Sequence, residues 1–254
     1  PFGRVFKITP SGDISVVVEY DGEPNGLKFH RDGRAFITDH KHGLMVLDVN
    51  TGKIEPFYDR PLLTRFRGVN DLFFGAQGDI YFTDQGQSSI QDPSGSVYRR
   101  DASGHTVRLL DNVPSPNGIV MSPNEKTLYV AATRGNCVWR ANLLPDGTGL
   151  VRPGIFVQMS GASGPDGMAV DQAGNLVVEP DSPYWETYKI DYVNVQRIAA
   201  TSSGISSSIV ANVGGGAAAA PAAAAASLAS DGCALAAGER CERRAPRSRR
   251  CPLP

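Results

Sequence analysis

Ser115-Pro116-Asn117-Gly118-Ile119, running on to Ser122-Pro123-Asn124-Glu125-Lys126-Thr127-Leu128-Tyr129-Val130, is the stretch whose reading decides the fold. Taken alone it reads as a sharp turn bearing an exposed carboxamide, a short apolar run, a second turn, and a strand over 127–131. The pattern recurs. Pro24-Asn25-Gly26-Leu27 precedes Asp32-Gly33-Arg34-Ala35-Phe36-Ile37-Thr38-Asp39, and Val69-Asn70-Asp71-Leu72 precedes Gly78-Asp79-Ile80-Tyr81-Phe82-Thr83-Asp84. Pro165-Asp166-Gly167-Met168 precedes Gly174-Asn175-Leu176-Val177-Val178. The lead positions 25, 70, 117 and 166 are separated by 45, 47 and 49 residues. A near-constant period of this length, with strand–turn–strand content, marks a repeat architecture.

Between successive heads a hairpin returns. Residues 44–48 turn at Asn50-Thr51-Gly52-Lys53 and come back over 54–58, residues 96–100 turn at Ala102-Ser103-Gly104 and come back over 106–110, and residues 138–141 turn at Pro145-Asp146-Gly147 and come back over 154–158. Each unit therefore holds four short strands, and no helical spacing of apolar residues interrupts residues 1–180. Repeated four-strand units describe an all-β fold, a β-propeller, with about four blades recognisable here. A sandwich or a β-helix would account for the strands but not for the same turn at a four-strand period. A blade has two faces to bury, so it is stable only between neighbours.

The propeller is expected over 1–213, most clearly to about 180, with 214–254 an Ala/Pro/Arg-rich, low-complexity tail expected to be disordered. A net charge of −1 disfavours a nucleic-acid or membrane-surface partner, and no apolar run approaches the ~20 residues that cross a bilayer. A cytoplasmic protein, monomeric or weakly dimeric, is the expectation. Cys137 is the one cysteine in the repeats and reads as a buried free thiol, while Cys233, Cys241 and Cys251 lack the spacing of a structural zinc site.

Matching positions of successive blades converge on the mouth of a propeller's central channel. Here they hold Asn25, Asn70, Asn117 and Asp166, with Asp71 beside Asn70. Gathered carboxamide and carboxylate oxygens suit a hard divalent cation. Asn-Gly and Asp-Gly are also common turn formers, because glycine takes positive φ and Asn or Asp bonds its own backbone. The residues alone leave the two readings level. Asp39 and Asp84, at matching strand ends, read as hydrogen-bond acceptors closing each blade. His40 and His42 read as loop residues, and His30 and His105 carry no signal. No nucleophilic-serine elbow, phosphate-cradling loop or nicotinamide fingerprint is present.

The stretch from Pro116 to Ala131 resembles the signature of the SMP-30/gluconolactonase/regucalcin-like lactonases, and Pro165-Asp166-Gly167-Met168-Ala169-Val170-Asp171 and Asn70-Asp71-Leu72 resemble the blades on either side. The resemblance implies a six-bladed propeller holding one divalent metal, Ca²⁺ first, with Zn²⁺, Mg²⁺ or Mn²⁺ as alternatives. It implies hydrolysis of a sugar lactone or similar cyclic ester, a small-molecule substrate. Asn117 and Asp166 would be metal ligands, Asn70 and Asn25 substrate-binding residues, and Asp166 or Asp71 the general base. Three departures stand out. The family's early Glu ligand would fall before Pro1, Arg67 stands three residues ahead of Asn70 instead of just before it, and the closing blades give way to the Ala/Pro/Arg segment. Weakened metal affinity is therefore expected. The alternatives are a non-catalytic binding propeller and strictosidine-synthase-like chemistry, for which Glu179 and Glu186 are the candidate acids.

Overall fold

The computed structural model describes residues 3–159, 164–180, 187–190 and 195–198. Glu186, the three tail cysteines, the further repeat head expected near 209 and the segment from 214 onward lie outside the described residues.

Two strands, β1 (Arg4–Ile8) and β2 (Ile14–Glu19), form a leading hairpin. Four four-stranded sheets follow. The first holds β3 (Pro24–Phe29), β4 (Ala35–Asp39), β5 (Gly43–Asp48) and β6 (Lys53–Tyr58); the second β7 (Val69–Phe74), β8 (Ile80–Asp84), β9 (Gly95–Arg100) and β10 (Thr106–Val113). The third holds β11 (Pro116–Met121), β12 (Thr127–Ala132), β13 (Cys137–Leu143) and β14 (Leu150–Gln158); the fourth β15 (Pro165–Val170), β16 (Leu176–Pro180), β17 (Thr187–Ile190) and β18 (Val195–Ile198). Every sheet is antiparallel, with its strands neighbouring one another in chain order. These are the blades of a propeller. Their first strands, β3, β7, β11 and β15, pack against one another in series.

The turn from first to second strand is the same device each time. Gly33, Gly78 and Gly174 sit at φ of +89°, +88° and +87° in three blades, and Glu125 takes φ +53° at the corresponding point of the third. Only glycine adopts that conformation without a steric cost, so the third blade carries local strain that the others avoid.

Alternation along the second strands explains the core. Ala35 and Ile37 face the leading hairpin, packing with Val5, Val17, Val18 and Tyr20, while Phe36 between them faces the second blade. Ile80 and Phe82 look back toward the first blade and Tyr81 forward to the third. Leu128 and Val130 look back, and Tyr129 faces the fourth, with Leu176 and Val178. Both faces of these strands are covered, which is why they read as nearly continuous apolar runs. The core is a series of slabs between blades. Each buried large side chain in it contributes about 1.5–3 kcal/mol.

A polar link joins the blades above those slabs. In each first strand the pairing with the second strand skips two residues, between Pro24 and Leu27, Val69 and Leu72, Pro116 and Ile119, and Pro165 and Met168. The skipped residues need hydrogen-bond partners from elsewhere. Thr38 supplies them in the first blade: its hydroxyl accepts from Gly26 N at 2.8 Å and donates to Asn70 O of the next blade at 2.5 Å. Thr83 repeats this, accepting from Asp71 N at 3.1 Å and donating to Asn117 O at 2.8 Å. In the third blade Ala131 stands at the equivalent register, and Thr133, from the turn just beyond β12, donates to Pro165 O at 2.7 Å instead.

The turn reading of the Asn-Gly and Asp-Gly heads is corrected here. Gly26, Gly118 and Gly167 lie inside strands and none has positive φ. Glycine is required at the first two for closeness between blades. A Cβ at Gly26 would lie 2.7 Å from Asp71 Oδ1, and one at Gly118 would lie 2.4 Å from Asp166 O. Nor are the lead carboxamides uniformly exposed, since Asn70 and Asn117 are buried.

Thr83→Val keeps the side-chain shape and removes both bonds, leaving Asp71 N–H without an acceptor and Asn117 C=O without a donor. The expected loss is about 1–3 kcal/mol, read as a lowered urea midpoint at unchanged slope. Thr51→Val, at an exposed turn hydroxyl 3.3 Å from Lys53 N, should stay within about 0.5 kcal/mol of the parent.

Candidate metal and substrate site

The register skip that the threonines bridge also sets the site. Asn25, Asn70, Asn117 and Asp166 each occupy the first skipped position of their strand, where the local bulge re-aims the side chain. Because the four strands pack in series, the four residues follow one another from strand to strand at the same point of their bulges.

Their surroundings differ. Asn117 is only 8% exposed, and its carboxamide has no hydrogen-bond partner among the described residues. Its polar atoms are not fully enclosed, so they are open to a group that approaches from solvent. Asp166, half-buried, lies on the adjacent strand, drawn close because Gly118 has no side chain to hold the strands apart. Together they offer oxygen donors only, the set a hard cation takes. Among the described residues no three His, Cys, Asp or Glu side chains gather at a point. Asn25 is exposed at the edge of the row.

Asn70 is held tightly. Its Nδ2 donates to Gln85 Oε1 at 2.9 Å, and Gln85 Nε2 donates in turn to Ser115 Oγ at 2.6 Å. Asp71 is engaged on both oxygens: Oδ1 accepts from its own neighbour Leu72 N at 2.8 Å, and Oδ2 accepts from Ile119 N of the next blade at 3.2 Å. Removal from water pushes its carboxyl above the ordinary range, against a smaller opposing pull from Lys28 and the two amides. Asp71 thus ties β7 to β11 two residues from Asn117.

Asp39 and Asp84 do act as acceptors for the loops. Asp39 receives Tyr20 Oη at 2.7 Å and the amides of Glu23, Lys41 and His42, and Asp84 receives Arg67 N and Gly68 N at 3.0 and 2.8 Å. His42 Nε2 bonds Asp21 O, and the His40 ring packs where a side chain on Gly68 would stand. The displaced Arg67 donates through Nη1 to Ser94 Oγ at 2.7 Å. Cys137 is a buried free thiol, raised by burial. Glu179 sits at the register of Thr38 and Thr83, its Oε2 3.6 Å from where a Cβ on Gly167 would be, and desolvation raises its carboxyl.

Sequence reasoning missed Thr38, Thr83, Thr133, Gln85 and Lys28. For the first two the signal was present, a Thr-Asp pair closing the second strand of successive blades; a single glutamine after a strand gives none.

Residues 2–189 match the SMP-30/Gluconolactonase/LRE-like region. The lactonase drp35 of Staphylococcus aureus strain USA300 is 31% identical over 187 residues, covering 69% of this chain and 56% of that protein. The chain thus spans about half the length of the curated relatives it matches. Among solved structures, a gluconolactonase from Xanthomonas campestris superposes with a TM-score of 0.65 at 25% identity, covering 74% of this chain and 65% of that one. Regucalcin from Agrobacterium tumefaciens, described as a calcium-binding protein, gives a TM-score of 0.61 at 20% identity over 78% and 66% of the two chains, a likeness of fold. Among the described residues no helix is long and apolar enough to cross a membrane. The bulged heads, the serial packing of their strands and the match over 2–189 place this chain in the SMP-30/gluconolactonase/LRE-like family.

Proposed function

We propose that this chain carries the metal- and substrate-binding residues of a divalent-metal-dependent lactonase that opens a sugar lactone or similar cyclic ester. The observation that carries the proposal is the Asn117 carboxamide, on a largely buried residue but open at its polar end and without a hydrogen-bond partner among the described residues, on the strand next to the one that carries Asp166. The names of its relatives, lactonase and gluconolactonase, supply the reaction class.

Asn117 and Asp166 would hold the cation, with Ca²⁺ favoured by the all-oxygen donor set. Bound there, a divalent cation supplies Lewis acidity toward a carbonyl oxygen and toward water. The protein's part is positioning. Asn70 offers Oδ1 to the substrate or its attacking water, since its nitrogen is committed to Gln85. Asn25, at the exposed edge, would meet the distal part of a substrate. Ring opening adds the water oxygen to the carbonyl carbon and breaks the ring C–O bond. The base takes one water proton, and the departing alkoxide ends as a hydroxyl. By its position in the repeat Asp166 is the candidate base, and ligation of a cation would lower its proton affinity. Asp71 spends a lone pair of each oxygen on a backbone amide and serves to hold β7 against β11.

Calorimetric titration of Ca²⁺ should show one site that is lost in Asp166→Ala and weakened in Asn117→Ala. Lactone hydrolysis should fall to background with chelator. Binding unchanged in both variants would overturn the assigned ligands, and chelator-insensitive turnover would overturn metal dependence. Binding without hydrolysis would support a non-catalytic propeller.

A structural Asp71 has its own signature in pH. Its carboxyl is raised in the folded state, so the native protein binds more protons than the unfolded chain, and this residue's contribution falls as pH rises from about 4 through the raised value. Stability of the parent relative to Asp71→Asn should therefore increase as pH drops from neutrality toward 4 (roughly the unfolded carboxylate value), measured by urea unfolding. A difference that is flat across this range would remove Asp71 from the titrating groups.

A further inference from the structure

We infer that Gln85 is a positioning residue whose carboxamide decides which end of the Asn70 side chain faces a bound substrate. What is bound rests on the lactonase reading above; the orientation does not.

Asn70 is 4% exposed, and its two ends are chemically opposite. Oδ1 can only accept and Nδ2 can only donate. Nδ2 is bonded to Gln85 Oε1, and Oδ1 makes no hydrogen bond among the described residues. Gln85 can receive at its oxygen because its nitrogen gives to Ser115 Oγ. In this arrangement Gln85 gives at its nitrogen and receives at its oxygen, so it is the Gln85 oxygen that draws the NH₂ end of Asn70 toward it.

Both anchors of Gln85 are fixed by the main chain. Gln85 N donates to Gly68 O at 2.9 Å, and Gln85 O accepts from Ser88 Oγ at 2.6 Å. Ser88 Oγ also accepts from Ser115 N at 3.0 Å, and Ser115 O accepts from Thr133 N at 3.0 Å. Ser115 is 1% exposed and stands at φ +60° before Pro116. A non-glycine residue holds that conformation only where its surroundings over-determine it, and here three bonds do so. Of the lead asparagines, only Asn70 has its side chain fixed by hydrogen bonds among the described residues. Reversed, it would aim an NH₂ group at a space whose neighbours, Asn117 and Asp166, are suited to a cation. Held as it is, Asn70 offers an acceptor to a sugar hydroxyl or a water proton.

Two substitutions separate orientation from packing. Gln85→Glu can only accept from Asn70, so it preserves the direction, and Ser115 can turn its hydroxyl to donate. Gln85→Met keeps the length and apolar volume but removes the partner. Orientation predicts that Gln85→Met lowers kcat/KM for a sugar lactone by about 10–100-fold, the usual cost of losing such a support, while Gln85→Glu retains most of it. Packing alone predicts the reverse, because Met buries no charge. Equal turnover in Gln85→Met and the parent, or equal impairment in both variants, would overturn the inference. A second readout needs no activity. In isotopically labelled parent protein, through-hydrogen-bond coupling should connect Asn70 Nδ2 to Gln85 Cδ. Coupling from Gln85 Nε2 to Asn70 Cγ, or none, would overturn it. If the parent opens no lactone, the lactonase reading fails by itself and this coupling decides the role of Gln85.

Discussion

One threonine hydroxyl in each of the first three blades carries the constraint on which the site depends. A first strand that keeps strict register would bury its polar groups in the ladder and leave no residue to aim at the axis. The two-residue skip frees the lead side chain and strands a backbone N–H and C=O. Thr38 and Thr83, both fully buried, accept from one bulge and donate to the next. One proton and one lone pair on the same oxygen thus stabilise two blades at once. The link is short because the strands are close, and they are close because Gly26 and Gly118 lack a Cβ.

Between the blades the energetics are those of ordinary apolar burial, but the geometry is specific. Second strands alternate their allegiance residue by residue, as Leu128 and Val130 belong to one slab and Tyr129 to the next. The aromatic pairs reinforce this, with Phe82 stacked on Tyr98 at 5.4 Å and Phe66 edge-on to both. No blade owns its core. Stability is therefore a property of adjacent pairs, as in other repeat architectures.

The blade period was legible because turns, strands and lead residues repeat in phase, and the strand bounds follow from that alone. The lead residues were legible as a set for the same reason. Their backbone was not: Asn117-Gly118 has the composition of a turn, and only the approach of β15 to Gly118 shows why glycine stands in a strand. The threonine links cross from one blade to the next, over 32 residues for Thr38 and 34 for Thr83. A partnership of that range leaves no local pattern. Gln85 was invisible because its meaning depends on the direction of a hydrogen bond, and Asp71 reads as a free carboxylate until both its oxygens are found occupied.

The third blade departs from the others by taking its link from the turn Thr133–Gly135 instead of from the strand. That turn also donates Thr133 N to Ser115 O and Arg134 Nη1 to Ser88 O. Three blades thereby share one short segment, and β15, which carries Asp166, takes its threonine link from a turn and not from a strand. Displacing that turn breaks bonds on both sides of it together. Asn70, through Gln85 and Ser115, and Asp166, through Pro165, are thus joined by hydrogen bonds that run through this one turn.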